Sequence, residues 1–197
     1  NFMPVNDWTR TNLDYEMPDG SKALYFNWVD LAVFDIYLLQ RENAEKDYSS
    51  AIRDEAKKRH AAYTKEELDH LASIVMFGIP GEKKETVEGM RVKLARYKDI
   101  DANILRSNLV FFLQQITPLC DELGLQLAIH PDDPPTDILG LPRIMKNIED
   151  VEFILNAVPN KSNGVCFCTG SFGANPNNNL PEMAKKIGKR IHFTHLR

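Results

Sequence analysis

Three residues with metal-binding side chains close short apolar runs in the second half of the chain. His130 follows "LQLAI", Cys168 ends "GVCFC" and His195 ends "IHFTH". Imidazole and thiolate are both good ligands for first-row metals. Each residue alone has a plainer explanation, since a strand-end histidine is commonly a hydrogen-bonded core residue and a buried cysteine a small hydrophobe. Three at the ends of successive runs form a candidate metal set of His130, Cys168 and His195. The "PDDPP" after His130 leaves three alternatives: an ordinary strand-to-loop junction, the rim of a metal site, or a loop that grips a substrate. Asp132 and Asp133 could supply a carboxylate ligand, hold a ligand's hydroxyl groups, or cap the loop. Pro131, Pro134 and Pro135 stiffen it.

Side chains alternate along a strand. Cys166 and Cys168 therefore share a face, with Cys168 nearer the strand end and Cys166 packed one layer deeper. His192 and His195 have opposite parity in a regular strand. His195 is the choice for the site, which sends His192 to the other face or to orienting its neighbours. Cys120 reads as a packed residue on a helix stripe, and His60 and His70 as solvated.

The elements that must position these residues are legible from about Thr64 onward. "TKEE" is a capping-box pattern, with Thr64 as N-cap and Glu67 three residues on, opening a helix that ends near Gly78 and Pro80. A second helix covers "KKETVEGMRVKLARYK". A third starts around Asp101, with Leu105, Leu109, Phe112, Leu113, Ile116, Leu119, Cys120 and Leu123 at helical spacing. Pro118 should kink it and Gly124 stop it. Strands over Leu125–Ile129, Gly164–Cys168 and Ile191–His195 then alternate with helices over 148–157 and 180–187. That order means parallel βαβ units, whose functional groups gather beyond the carboxyl ends of the strands. "ANPNNNLP" is an Asn-rich loop ending in a helix cap. Before Thr64, "PDG" marks a turn. "ALYFNWVDLAVFDIYLL" could hold a short strand and a helix, and "RENAEKDYSSAIRDEAKKRH" reads as a solvated helix. Residues 7–63 together look like an insertion between regular units.

With 197 residues, 43% hydrophobic and 26% charged, the chain is expected to be one soluble globular domain. The net charge of −4 offers no broad basic face to nucleic acid. No apolar run approaches the roughly 18 residues that span a bilayer. Three cysteines make no disulfide framework, and a cytoplasmic setting is expected. The apolar start "NFMPV" and the final strand suggest a domain incomplete at both ends.

The motifs "AIHPDDPP", "GLPRI", "FCTGS" and "RIHFTHLR" resemble those of mannonate dehydratases. "NFMPVNDWTRT" and "YKDIDANILRSNLVFFLQQITPLCDELGLQLAIHPDDPP" resemble the same family in the same order. The likeness covers most of the chain and is weakest between about Asp30 and Tyr63. It implies a (β/α)₈ TIM-type barrel of the xylose isomerase group, of which this chain would hold roughly strands three to seven; such barrels need about 250 residues. It implies dehydration of D-mannonate to 2-dehydro-3-deoxy-D-gluconate in hexuronate breakdown, with Mn²⁺ or Fe²⁺. Carried over by motif, His130, Cys168 and His195 would be the metal ligands. Trp8, Arg10, Asp132 and Arg197 would bind substrate, arginine being suited to a sugar-acid carboxylate. A homodimer is expected. The family's later "DHGR"-like segment, with an aspartate ligand and a proton-transfer histidine, is not in this sequence. The general base and acid are therefore expected C-terminal to it.

Three rivals differ in what they require. A sugar isomerase or epimerase on the same barrel would bind metal and sugar but release no water. A zinc-binding structural protein would close its site with four ligands. A metal-dependent nuclease would need an Arg/Lys-rich stripe, which is lacking.

Overall fold

The alternation of apolar runs and capped helices after residue 99 produces a parallel α/β layer, seen in the computed structural model, which describes residues 8–76 and 85–196. The chain divides into two compact units. One comprises Asp99–Asp137 and the residues from Leu141 on; the other comprises Trp8–Lys98 and Ile138–Gly140.

In the second of these units, β1 (Asn12–Glu16) and β2 (Lys22–Tyr25) form an antiparallel hairpin. Its turn is the "PDG" segment, with Gly20 at φ 82°, a conformation costly for residues with a Cβ. Asn27 caps α1 (Trp28–Ala32) by accepting from the Val29 and Asp30 amides. The helix continues as a π-helical segment, Val33–Leu39. The aromatic run thus yields the expected strand and helix. A 3₁₀ turn (Ala44–Asp47) leads to α2 (Ser50–Ala62), which fully buries only Ala56 and half-buries Ile52, Arg53, Arg59 and His60. Thr64 and Glu67 form the reciprocal capping box at the start of α3 (Lys65–Val75). The expected end of α3 at Gly78 and Pro80 lies outside the described residues. Thr86 caps α4 (Val87–Ala95), shorter than the sequence stretch suggested. Leu31, Val33, Phe34, Leu39, Leu71, Val75 and Met90 are the centre of this unit's core.

In the first unit, Asp101 caps α5 (Ala102–Leu123), and Gly124 ends it at φ 67°. The buried stripe is Leu105, Leu109, Leu113, Thr117 and Cys120. Phe112, Leu119 and Leu123, expected on that stripe, are exposed; at 3.6 residues per turn Phe112 and Leu119 fall outside its edge, and Leu123 lies on its margin as the last residue of the helix. The helix runs through Pro118 as one element, and Pro118 and Gln114 both face solvent, where water can satisfy the carbonyl that loses its donor. Strand β3 is Leu127–Ile129, two residues shorter than expected. The Leu125 amide bonds back to the Cys120 carbonyl, so Leu125 still belongs to the helix terminus. α6 (Ile148–Ala157), β4 (Asn163–Cys168), α7 (Thr169–Gly173), α8 (Leu180–Ile187) and β5 (Ile191–His195) follow. Asn179 caps α8 at the end of the Asn-rich loop.

The sheet order is β3–β4–β5, all parallel, with β4 central and every one of its residues buried. Leu109, Leu113, Ile129, Ile154, Val165, Phe167 and Phe172 anchor the core. The sheet is open. Among the described residues three parallel strands and one hairpin are present, not a closed barrel and not five parallel strands.

Pairing of β4 with β5 is irregular. Val165 faces Ile191 and Cys166 faces Phe193, so β5 carries one extra residue, His192, as a bulge. This corrects the parity argument. Residues paired across parallel strands share a face, which puts Phe193 and His195 on the face of Cys166 and Cys168. A Cβ at Gly164, also on that face, would overlap the His192 imidazole. His192 and His195 therefore lie on the same side of the sheet, because the bulge resets the alternation between them.

Candidate metal centre

Strand β3 stops at Ile129 and delivers His130; β4 ends on Cys168; β5 ends on His195, which is in register with Cys168. One ligand atom from each of the three lies within 4.8 Å of the others. Donors around an ion at bond lengths of about 2.0 to 2.3 Å fall in that range. The His130 Nδ1 lies 2.7 Å from the Pro131 carbonyl oxygen, which can only accept. Nδ1 therefore carries the proton and Nε2 is left as the ligand atom, the arrangement by which metal-bound histidines are oriented. The His130 and His195 rings are tilted by 51° with their centroids 5.2 Å apart, and Phe193 supports His195 edge-on at 5.4 Å. The Thr169 hydroxyl donates to the His195 carbonyl at 3.3 Å.

Cys168 is fully buried, which suits a ligand held in fixed geometry. The Ser171 hydroxyl, one helical turn on in α7, lies 3.3 Å from its Sγ and 3.2 Å from Asp133 Oδ2. Ser171 was not singled out from the sequence. Its place in "FCTGS", three residues after a ligand and leading into a helix, is the signal that could have found it. Cys166 and Cys120 are buried, as packing residues should be. His70 is exposed, as expected. His60 is not simply solvated, because its ring stacks on Tyr37 at 4.3 Å.

Asp132 has a different surrounding from that expected of a substrate contact. It is 0% exposed, and its Oδ2 accepts from the Ile144 and Met145 amides at 2.8 and 2.7 Å. Its own amide donates to the Met145 carbonyl, so it latches the "GLPRI" loop onto the strand end. Burial pushes its carboxyl above the usual range, against the pull of those amides and of Arg143. Neither Asp132 nor Asp133 joins the three ligands; among the described residues the set contains no carboxylate. Arg143 is itself fully buried. Trp8 and Arg10 belong to the other unit, with the Arg10 guanidinium 4.8 Å above the Trp8 ring and Nη1 donating to the Thr9 carbonyl. Arg197 lies outside the described residues.

The arrangement brings two imidazoles and a cysteine sulfur to one point at the carboxyl edge of a parallel sheet. Comparison with known proteins identifies the family. The family model for D-mannonate dehydratase (UxuA) matches residues 1–197. The chain is 48% identical over 198 residues to the mannonate dehydratase of Marinomonas sp. (strain MWYL1), covering 100% of this chain and 51% of that protein. It is 45% identical over 198 residues to that of Saccharophagus degradans (strain 2-40), covering 100% and 50%. The crystal structure of mannonate dehydratase from Streptococcus suis serotype 2 superposes with a TM-score of 0.66 at 32% identity, over 99% of this chain and 43% of that one. The chain thus spans about half the length of the relatives it matches.

Proposed function

This chain belongs to the D-mannonate dehydratase family, and from that membership we propose that it supplies the metal-binding part of a hydro-lyase converting D-mannonate to 2-dehydro-3-deoxy-D-gluconate and water. The observation that carries the reading is the convergence of His130, Cys168 and His195 at three adjacent strand ends. His130 Nε2, Cys168 Sγ and a ring nitrogen of His195 would hold Mn²⁺ or Fe²⁺. Bound there, the cation would supply positive charge where negative charge develops as the C2 proton leaves.

The remaining roles belong to the chain's own groups. Ser171 and the Pro131 carbonyl hold Cys168 and His130 in place. Arg10 and Arg197 are read as partners of the substrate carboxylate, and Trp8 as a wall for the sugar acid. Asp132 serves by fixing the loop from Gly140 to Met145, which its two accepted amide bonds support, rather than by touching substrate. The parallel units are read as a segment of a (β/α)₈ barrel, with the ligands at its carboxyl mouth and residues 7–63 as an insertion. The assembly is read as a homodimer of the cytoplasm. No described helix is long and apolar enough to cross a membrane.

The test is D-mannonate turnover by the protein after chelation and re-addition of Mn²⁺, following the 2-keto-3-deoxy acid. Metal-dependent product is the expected result. In a protein that also carries the general base and acid, stoichiometric metal without product would overturn the dehydratase reading, and no metal uptake would overturn the centre itself.

A further inference from the structure

The three strands that carry the ligands are tied together by a fourth residue, His192. It is the bulged residue of β5, and its ring lies over Gly164 of the central strand β4. Its Nδ1 reaches past β4 to the Leu127 carbonyl of β3, at 2.7 Å. One side chain therefore touches all three strands. The carbonyl only accepts, so Nδ1 is the donor. Gly164 is what makes the crossing possible: any side chain there would take the space of the imidazole.

We propose that His192 is a positioning residue that clamps β3 to β5 across β4 and so sets the spacing of His130, Cys168 and His195. It stands three residues from His195, about 10 Å of strand at 3.3 Å per residue, too far to be a ligand itself. It acts through geometry. β3 and β5 are not neighbours in the sheet, so backbone pairing fixes each to β4 but not to the other. The bulge that could let β5 slip is the same feature that presents the ring to Leu127. A one-residue slip would send His195 to the opposite face.

The inference rests on the metal-centre reading, and the experiment separates the two. His192→Asn keeps a donor nitrogen near the place of Nδ1, whereas His192→Leu keeps the bulk and loses the donor. Long-range ¹H–¹⁵N correlation spectra of the metal-free protein should show His192 with its proton on Nδ1. Mn²⁺ affinity should fall about tenfold or more in His192→Leu, the loss usual for groups that orient ligands, and stay within about twofold of wild type in His192→Asn. Co²⁺ substituted for Mn²⁺ should show an altered thiolate charge-transfer band in His192→Leu alone. A proton on Nε2, or wild-type affinity and spectrum in His192→Leu, would overturn the clamp while leaving the metal centre standing. A wild-type protein with the Nδ1 proton but no Mn²⁺ binding would overturn the metal centre and the positioning role with it.

Discussion

His130 shows how much one residue's surroundings decide. Its type permits packing, catalysis or metal binding, but its Nδ1 donates to the Pro131 carbonyl and one of its ring nitrogens lies within ligand range of Cys168 and His195. Removal of this ring should therefore cost more than loss of an orienting group, which is typically about 10- to 100-fold in metal affinity. His130→Ala is expected to lower Mn²⁺ affinity by more than about a hundredfold, with the circular dichroism of the folded chain retained, because the ring is only half-buried. Equilibrium dialysis that still finds one Mn²⁺ per chain in this variant would remove His130 from the centre. The ligand types were legible in the sequence because His and Cys carry distinctive chemistry. The support around them was less so. Ser171 is an ordinary residue until α7 folds it back onto Cys168, and the choice for Asp132 among metal ligand, hydroxyl contact and loop cap stays open until two backbone amides claim it.

Elements were legible where local chemistry fixes them. Asp101, Asn179 and the Thr64–Glu67 pair each accept the amide bonds their positions suggest, and the helices begin there. The exceptions share one cause, that tertiary pairing decided the outcome. The β5 bulge is a property of how two strands meet, so alternation read along one strand wrongly set His192 and His195 on opposite faces. The π-helical segment Val33–Leu39 packs a fully buried core and gives no periodic sign of its extra residue. At the junction of α2 and α3, Tyr63 donates to Asp30 Oδ1 at 2.9 Å beside Arg59 at 3.0 Å, tying that corner to α1. Burial, then the bond to Asp30 and its charge, push the phenol up to about 12 from an ordinary 10.0. The folded state thus keeps a proton that the unfolded chain gives up between those values. Stability from this group is complete below pH 10 and is lost as pH rises towards 12. Urea midpoints of wild type and Tyr63→Phe should differ most near pH 8 and converge as pH climbs to about 11 to 12. A gap that does not narrow would show that this phenol titrates as it does in the unfolded chain.

At the scale of the whole molecule, the ligands are confined to one of the two units. His130, Cys168 and His195 all belong to the unit built on β3, β4 and β5, while the other unit has its own core around Leu31 and Phe34. The ligands come from three strands that are far apart in sequence, so the unfolded chain cannot offer them together. A cation that binds only the assembled strands must stabilise them by mass action, about 2.7 kcal/mol at a concentration a hundredfold above its dissociation constant. That figure corresponds to about a hundredfold in an opening equilibrium. Mn²⁺ at that concentration should therefore slow amide exchange in β4 by up to about a hundredfold where exchange needs the strand to come apart. β4 is the strand to watch, because it is central, wholly buried and ends on the buried thiol. The hairpin of β1 and β2 carries none of the three ligands and should exchange at the same rate with or without the ion. If saturating Mn²⁺ left the β4 amides unchanged, the ion would be held somewhere other than at the ends of these strands.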